Sequence, residues 1–104
     1  MAKYKIAVSE PAENDLRDIV RYISAQLSAP MTALRMMDTI EEAIADLSDM
    51  PNKYPFVSDD RLKAMGYRKL LVKNYMVFFS IDDKSNIVYV ERTLYARRDW
   101  LHIL

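Results

Sequence analysis

The closing stretch VERTLYARRDWLHIL (residues 90–104) gathers Arg92, Tyr95, Arg97, Arg98 and Trp100 on and just after a strand-like run. Guanidinium groups fork onto carboxylates and phosphates, and aromatic rings stack on bases or fill protein pockets, so the cluster suits an anionic partner. Arg68 and Lys69 form a second basic pair in YRKLLV (67–72). Strict alternation places Arg68 with Leu70 and Val72, and Arg92 with Val88, Val90 and Leu94, so each arginine shares a face with aliphatic groups. For Arg92 the alternatives are a contact to an external anion and a structural role, either an ion pair with a helix acid or a stem that snorkels to water, with the structural role preferred. In the tail, residue type favours an apolar turn of Trp100, Leu101, Ile103 and Leu104 folded over the sheet. Arg97 and Arg98 are then solvated, Asp99 caps or pairs, and His102 lies exposed.

Several chemistries are excluded or disfavoured by what the chain holds. It has no cysteine, one histidine and one glycine, Gly66. Disulfides and thiolate metal sites are impossible, Gly-rich phosphate loops are absent in their usual form, and neither a cofactor nor a metal is expected. His102, close to the end and without a nucleophile turn in sight, does not make a hydrolase triad. The seven methionines are read as adaptable packing. No apolar run approaches a membrane span, and the expected location is the cytoplasm.

Composition supports one domain over 1–104, with 51% hydrophobic and 29% charged residues. The zero net charge conceals a division: residues 1–60 hold 6 Lys/Arg against 11 Asp/Glu, and residues 61–104 hold 9 against 4. The division suits an acidic partner or a phosphate backbone meeting the C-terminal portion, and equally an imbalance that only reflects acids solvating the helices.

The elements that must position the basic cluster follow from hydrophobic spacing. KYKIAV (3–8) alternates as a strand. Ser9 then caps a helix with Pro11 in its first turn and an apolar stripe of Ala12, Leu16, Ile19, Ile23 and Leu27. Ser28 is expected to cap a second helix starting near Pro30, with Ala33, Met37, Ile40, Ile44 and Leu47 as its stripe and Pro51 beyond its end. Residues 51–65 read as an irregular loop anchored by Tyr54, Phe56 and Val57. YRKLLV, YMVFFSI and IVYVERTLY follow, separated by hairpin-length connections. The expected fold is α+β: an N-terminal strand, an antiparallel helical hairpin packed on an antiparallel sheet (β-α-α-β-β-β), and a short C-terminal turn. The hairpin covers one sheet face and leaves the other partly open.

Three segments in order, KIAVSEPAENDLRDIVRYI, GYRKLLVKNYMVFFSI and VERTLYARRDWLHIL, resemble the RelE/ParE superfamily of toxin–antitoxin toxins over nearly the full length. The resemblance implies a cytoplasmic type II toxin, of the kind that stabilises plasmids and arrests growth. It also implies a cognate antitoxin with a partly disordered acidic segment, in a homodimer or a heterotetramer with that antitoxin. RelE-like members cut messenger RNA on the ribosome. The arginine they carry after the central-strand aromatic falls here at Met76, their later arginine at Arg98, and their terminal tyrosine at Leu104; a nuclease of this type would rely on Arg68 and Arg98. The ARRDW ending is closer to ParE-like members, which poison DNA gyrase by binding, and that reading is preferred. A degenerate toxin that only binds its antitoxin is the third alternative. The expected target or antitoxin contacts are Arg68, Lys69, Arg92, Tyr95, Arg97, Arg98 and Trp100.

Overall fold

A computed structural model describes residues 3–104. Strand β1 (Lys5–Val8) leads into helix α1 (Glu10–Arg21), helix α2 (Pro30–Ala45), a short helix α3 (Asp60–Ala64) and strands β2 (Arg68–Val72), β3 (Tyr75–Asp82) and β4 (Ile87–Tyr95). Strands β2, β3 and β4 form the expected antiparallel meander, and β1 joins at the edge beside β4, parallel to it, in the order β1-β4-β3-β2.

Helix α1 starts as its sequence dictates. Ser9 holds extended backbone and its Oγ accepts from the Ala12 N–H at 3.1 Å, while Glu10 and Glu13 sit at the positive end of the helix dipole. Past Arg21 the helix widens into a π-turn, Tyr22–Gln26, in which Leu27 N–H reaches back to the Tyr22 carbonyl at 3.3 Å. Ser28 does not cap α2. It adopts φ 51°, terminating the first helix, and the Ala29 N–H donates back to the Ile23 carbonyl at 3.2 Å. So few residues separate the helices that a left-handed residue is needed to reverse the chain, and Ala29 takes the N-cap position without a side-chain bond.

The hairpin buries Ala12, Leu16, Ile19 and Ile23 from α1 and Ala33, Ile40, Ile44 and Leu47 from α2 and its end, against Val72, Val77, Phe79, Val88 and Val90 of the sheet. Leu27, expected in the stripe, is instead 59% exposed beyond the end of this core. The alternation expected along β4 is also corrected. The β3–β4 register slips between Phe78 and Phe79, so that Arg92 opposes Phe78 and Val90 opposes Phe79, leaving Glu91 as the extra residue of a bulge. One inserted residue exchanges the faces downstream. Val88 and Val90 lie in the helix-side core, whereas Leu94 joins Phe78 on the opposite face.

That opposite face is covered, contrary to the expectation that it stays partly open. Leu94 and Phe78 are buried with Val57 and Leu62, and Tyr67, Met76, Trp100, Ile103 and Leu104 pack around them. The loop read as irregular supplies this cover through α3, capped by Asp59 Oδ1 accepting from Leu62 N–H at 3.0 Å. The C-terminal turn supplies the rest, with the Trp100 ring centroid 5.1 Å from that of Phe78.

Where β1 ends at Val8, β4 continues without a strand on that side, and the start of α1 takes its place. Ser9 Oγ donates to the Glu91 carbonyl at 2.8 Å, and Asp15 Oδ2 accepts from the Thr93 N–H at 3.0 Å. Arg92 adds a two-pronged bond to the same carboxylate at 2.7 and 2.8 Å. Removing one partner of a buried, hydrogen-bonded pair leaves the other uncompensated. Asp15→Ala should therefore lower unfolding stability by about 3 kcal/mol in urea titration. Arg17→Ala, which removes only exposed contacts with Glu13 and Asn14, should cost less than about 0.5 kcal/mol.

Candidate functional site

A groove of about 560 Å³ lies between the C-terminal half of α1 and the adjoining ends of β3 and β4. Its most buried lining residues are Asp15, Ile19, Ile23, Thr93 and Leu94. Tyr22, Leu27 and Tyr95, more exposed, and the half-buried Tyr75 form its sides, with Asp18, Asn74 and Arg98 at the polar margin.

Each side is placed by a local feature of the chain. The π-turn carries Tyr22, and Leu27 ends it. Tyr75 and Tyr95 are direct cross-strand partners, packed edge to face at 5.9 Å and 72°. The β2–β3 turn, with Lys73 at φ 55°, brings up Asn74, whose carbonyl accepts from Ala96 N–H at 2.8 Å. Arg98 follows in a tight turn, its N–H bonded to the Tyr95 carbonyl at 2.9 Å and its carbonyl accepting from Trp100 N–H at 2.8 Å. Since Trp100 is anchored on Phe78, the two-arginine turn is held at both ends.

The charges at the groove are unequal in availability. Asp15 is saturated by Arg92 and the Thr93 N–H. Asp18 has a solvent-exposed pairing with Arg21 at 3.5 Å, which holds it weakly. Arg98 makes no ion pair among the described residues, and Arg97 is likewise exposed and unpaired. Thr93 Oγ1 is buried with no hydrogen-bond partner among the described residues. The Tyr75 hydroxyl is pushed above its ordinary pKa by burial first and by the neighbouring Tyr22 and Tyr95 after that.

Of the residues expected to make contacts, the groove brings together Tyr95 and Arg98. Arg92, an expected contact under the resemblance and an ion pair or solvated stem by residue type, is held by the buried carboxylate of Asp15. Arg68 is committed elsewhere: its guanidinium bonds the carbonyls of Asn52 and Tyr54 at 3.1 and 2.6 Å and stacks 3.9 Å from the Phe56 ring. It does not line the groove with Arg98. Lys69 is half-buried on β2 opposite Phe78, and Trp100 is a packing anchor. Sequence reasoning missed Asp15, Tyr22, Tyr75 and Thr93. For Asp15 a signal existed, because it falls three residues after Ala12 and four before Ile19, inside the apolar stripe. An acid in that position must find a partner.

The chain from residue 6 to residue 100 matches the family model described as ParE toxin of type II toxin–antitoxin system, parDE. The chain belongs to the ParE toxin family. No curated protein sequence matches it. Among solved structures, this ParE-family chain is similar to the chromosomal ParDE toxin–antitoxin system of P. aeruginosa, with a TM-score of 0.76 at 17% identity, covering 93% of this chain and 100% of that one. It is also similar to the RelBE toxin–antitoxin complex of Mycobacterium tuberculosis (TM-score 0.61, 20% identity, 89% and 98% covered). The third likeness is to a double arginine-to-alanine mutant of the E. coli toxin RelE in the free state (TM-score 0.64, 12% identity, 97% and 92% covered). At such identities these likenesses speak for the fold. ParE-family membership makes this chain a type II toxin with an antitoxin as partner.

Among the seven tyrosines, Tyr4, Tyr67 and Tyr75 have raised pKa values. Their phenols should ionise above the ordinary value of about 10 in ultraviolet titration. A raised value means the folded state holds its proton more tightly, so any stability from these groups is present at neutral pH and lost as pH rises through the folded value. Tyr75→Phe should delete one late-ionising phenol from the titration.

Proposed function

We propose that this ParE-family toxin arrests growth by binding DNA gyrase in the cytoplasm, with Arg97 and Arg98 as its principal contacts, and that its locus serves plasmid stabilisation. The observation that carries the reading is the state of the guanidinium groups. Arg68 and Arg92 are held by the protein itself, and the free pair sits together on one rigid turn beside Tyr95. That arrangement suits recognition of an acidic protein surface.

Phosphodiester cleavage asks for more than the groove offers. It needs positive groups converging on the phosphate and an acid–base pair. Met76 stands in the second apolar cluster where RelE-like enzymes carry an arginine, and the groove lining contains no histidine. Its most buried carboxylate, Asp15, is already triply bonded. The fold-level likeness to E. coli RelE supports ribosome-dependent cleavage as the second reading.

The antitoxin fits the same scheme. A segment disordered alone and acidic in part would fold over the toxin and bring its carboxylates to Arg97 and Arg98. A complex of two toxins with two antitoxins is the assembly we propose.

Expression without the antitoxin should stop growth, and the purified protein should inhibit gyrase supercoiling or trap its cleavage complex while ribosome-bound messages stay intact. Messages cut at the ribosomal A site with gyrase unaffected would establish the second reading instead. Replacing Arg97 and Arg98 by alanine should abolish arrest with the urea midpoint unchanged, because neither side chain bonds within the described fold. Loss of folding in that variant would make their role structural.

A further inference from the structure

The outer edge of β2 is covered over only part of its length. Residues 55–57 lie along its start: Phe56 bridges Arg68, the Lys69 N–H donates to the Pro55 carbonyl at 3.1 Å, and the Tyr67 carbonyl accepts from the Val57 N–H at 2.9 Å. Beyond Lys69 the cover stops. Alternate pairs of an antiparallel ladder exchange hydrogen bonds, and a two-residue connection closes on such a pair, here Val72 with Tyr75. Leu70 with Val77 is the next, so Lys69 and Leu71 turn their backbone groups outward, as the Lys69 bond to Pro55 shows directly. The Leu71 N–H has no acceptor among the described residues, and Leu71 is 60% exposed. An unpaired strand edge is a template for another strand.

The surroundings of this opening decide what would pair there. Leu71 stands opposite Met76, which packs on the second apolar cluster, so an apolar side chain laid beside Leu71 finds further apolar surface. Two residues on, Lys73 is exposed and in no ion pair among the described residues. The turn that carries Lys73 is bonded to the start of the basic turn, the Asn74 carbonyl accepting from the Ala96 N–H at 2.8 Å. The open edge therefore runs past Lys73 to Arg97 and Arg98 at the same end of the sheet. A second copy of this chain fits badly, because two-fold pairing about Leu71 would set Lys69 against Lys73 of the other copy, and like charges directly opposite are destabilising.

We infer that gyrase adds a short extended segment to this edge, exchanging backbone hydrogen bonds with Leu71, laying an apolar side chain on Leu71 and Met76, and placing an acid two residues away on Lys73. The segment then continues to Arg97 and Arg98, which makes the edge a second point of contact for a partner already held at that turn. The inference rests on the gyrase reading and adds to it a strand-pairing site and a third cation, Lys73.

The test follows amide hydrogen exchange of the full-length toxin by mass spectrometry, free and bound to purified gyrase, with fragmentation that resolves Leu71. Gyrase should slow exchange of the Leu71 N–H. Leu71→Pro removes only an outward-facing donor, so the sheet should keep its unfolding midpoint while gyrase binding weakens about tenfold, the scale of one lost hydrogen bond. Leu71→Ser keeps that donor and should weaken binding less. Lys73→Glu should also weaken binding about tenfold, whereas Lys84→Glu, in the turn at the opposite end of the sheet, should bind as the parent does. If Leu71→Pro fails to fold, the exchange measurement on the parent chain decides. The inference is overturned if gyrase binds while the Leu71 N–H exchanges as in the free toxin, or if folded Lys73→Glu binds normally. It is also overturned if the antitoxin, or a higher concentration of the toxin alone, slows that exchange and gyrase does not. Absence of any gyrase binding by the parent chain would instead sink both this inference and the gyrase reading beneath it.

Discussion

Three donors converge on the Asp15 carboxylate: the Arg92 Nε and one of its terminal nitrogens, and the backbone N–H of Thr93. Beyond Val90, β4 has lost its parallel partner because β1 stops at Val8, and buried backbone donors cannot be left unpaired. Asp15 answers one of them from a helix. The Glu91 bulge shifts the register beyond Val90, so that Arg92 opposes Phe78 and Thr93 opposes Val77. The same slip sends Leu94 to the second core and Thr93 to the groove, so one inserted residue links the lock, the cover of the far face and the candidate site.

The lock also sorts the positive charges. Arg92 is consumed by Asp15, and Arg68 by two carbonyls and the Phe56 ring, so two of the nine cations in the C-terminal portion are internal in their use. The turn carrying Arg97 and Arg98 is left exposed, with neither guanidinium in an ion pair among the described residues. Trp100, seated on Phe78, holds that turn against the sheet, which spares a binding partner the cost of ordering it. For a ParE-family toxin that must meet an antitoxin and a target in turn, a rigid basic turn beside an aromatic groove gives two adjacent surfaces of different chemistry.

Much of this fold is legible from spacing alone. Ser9 and Pro11 set the start of α1, the apolar stripes of both helices find the core, and the three β-rich runs form the meander. What escaped is set by single residues acting against a periodic expectation. A bulge has no reliable sequence signature, since Glu91 is an ordinary strand-face residue until its register is known. Ser28 has the type of a cap, yet the short link demanded a left-handed residue there. The segment around α3 lacks periodicity because its helix is brief and buries Leu62 alone, with Val57 buried in the stretch before it. In the candidate site, Tyr95 and Arg98 were readable as an aromatic beside a cation, whereas Tyr22, Tyr75 and Thr93 meet only through tertiary packing. Asp15 was within reach, as an acid inside an apolar stripe in a chain whose β2 and β4 runs each carry one arginine.

The central claim is that Arg92 serves the fold and leaves recognition to the neighbouring turn. The direct measurement replaces both members of the lock by neutral amides, Asp15→Asn with Arg92→Gln, which keeps an acceptor for the Thr93 N–H while removing both charges. Cooperative unfolding and growth arrest are then followed in the same variant, alongside Asp15→Asn alone. The account predicts that the double variant folds cooperatively and still arrests growth. A double variant that folds as the parent does but no longer arrests growth would contradict it, because Arg92 would then be a contact residue.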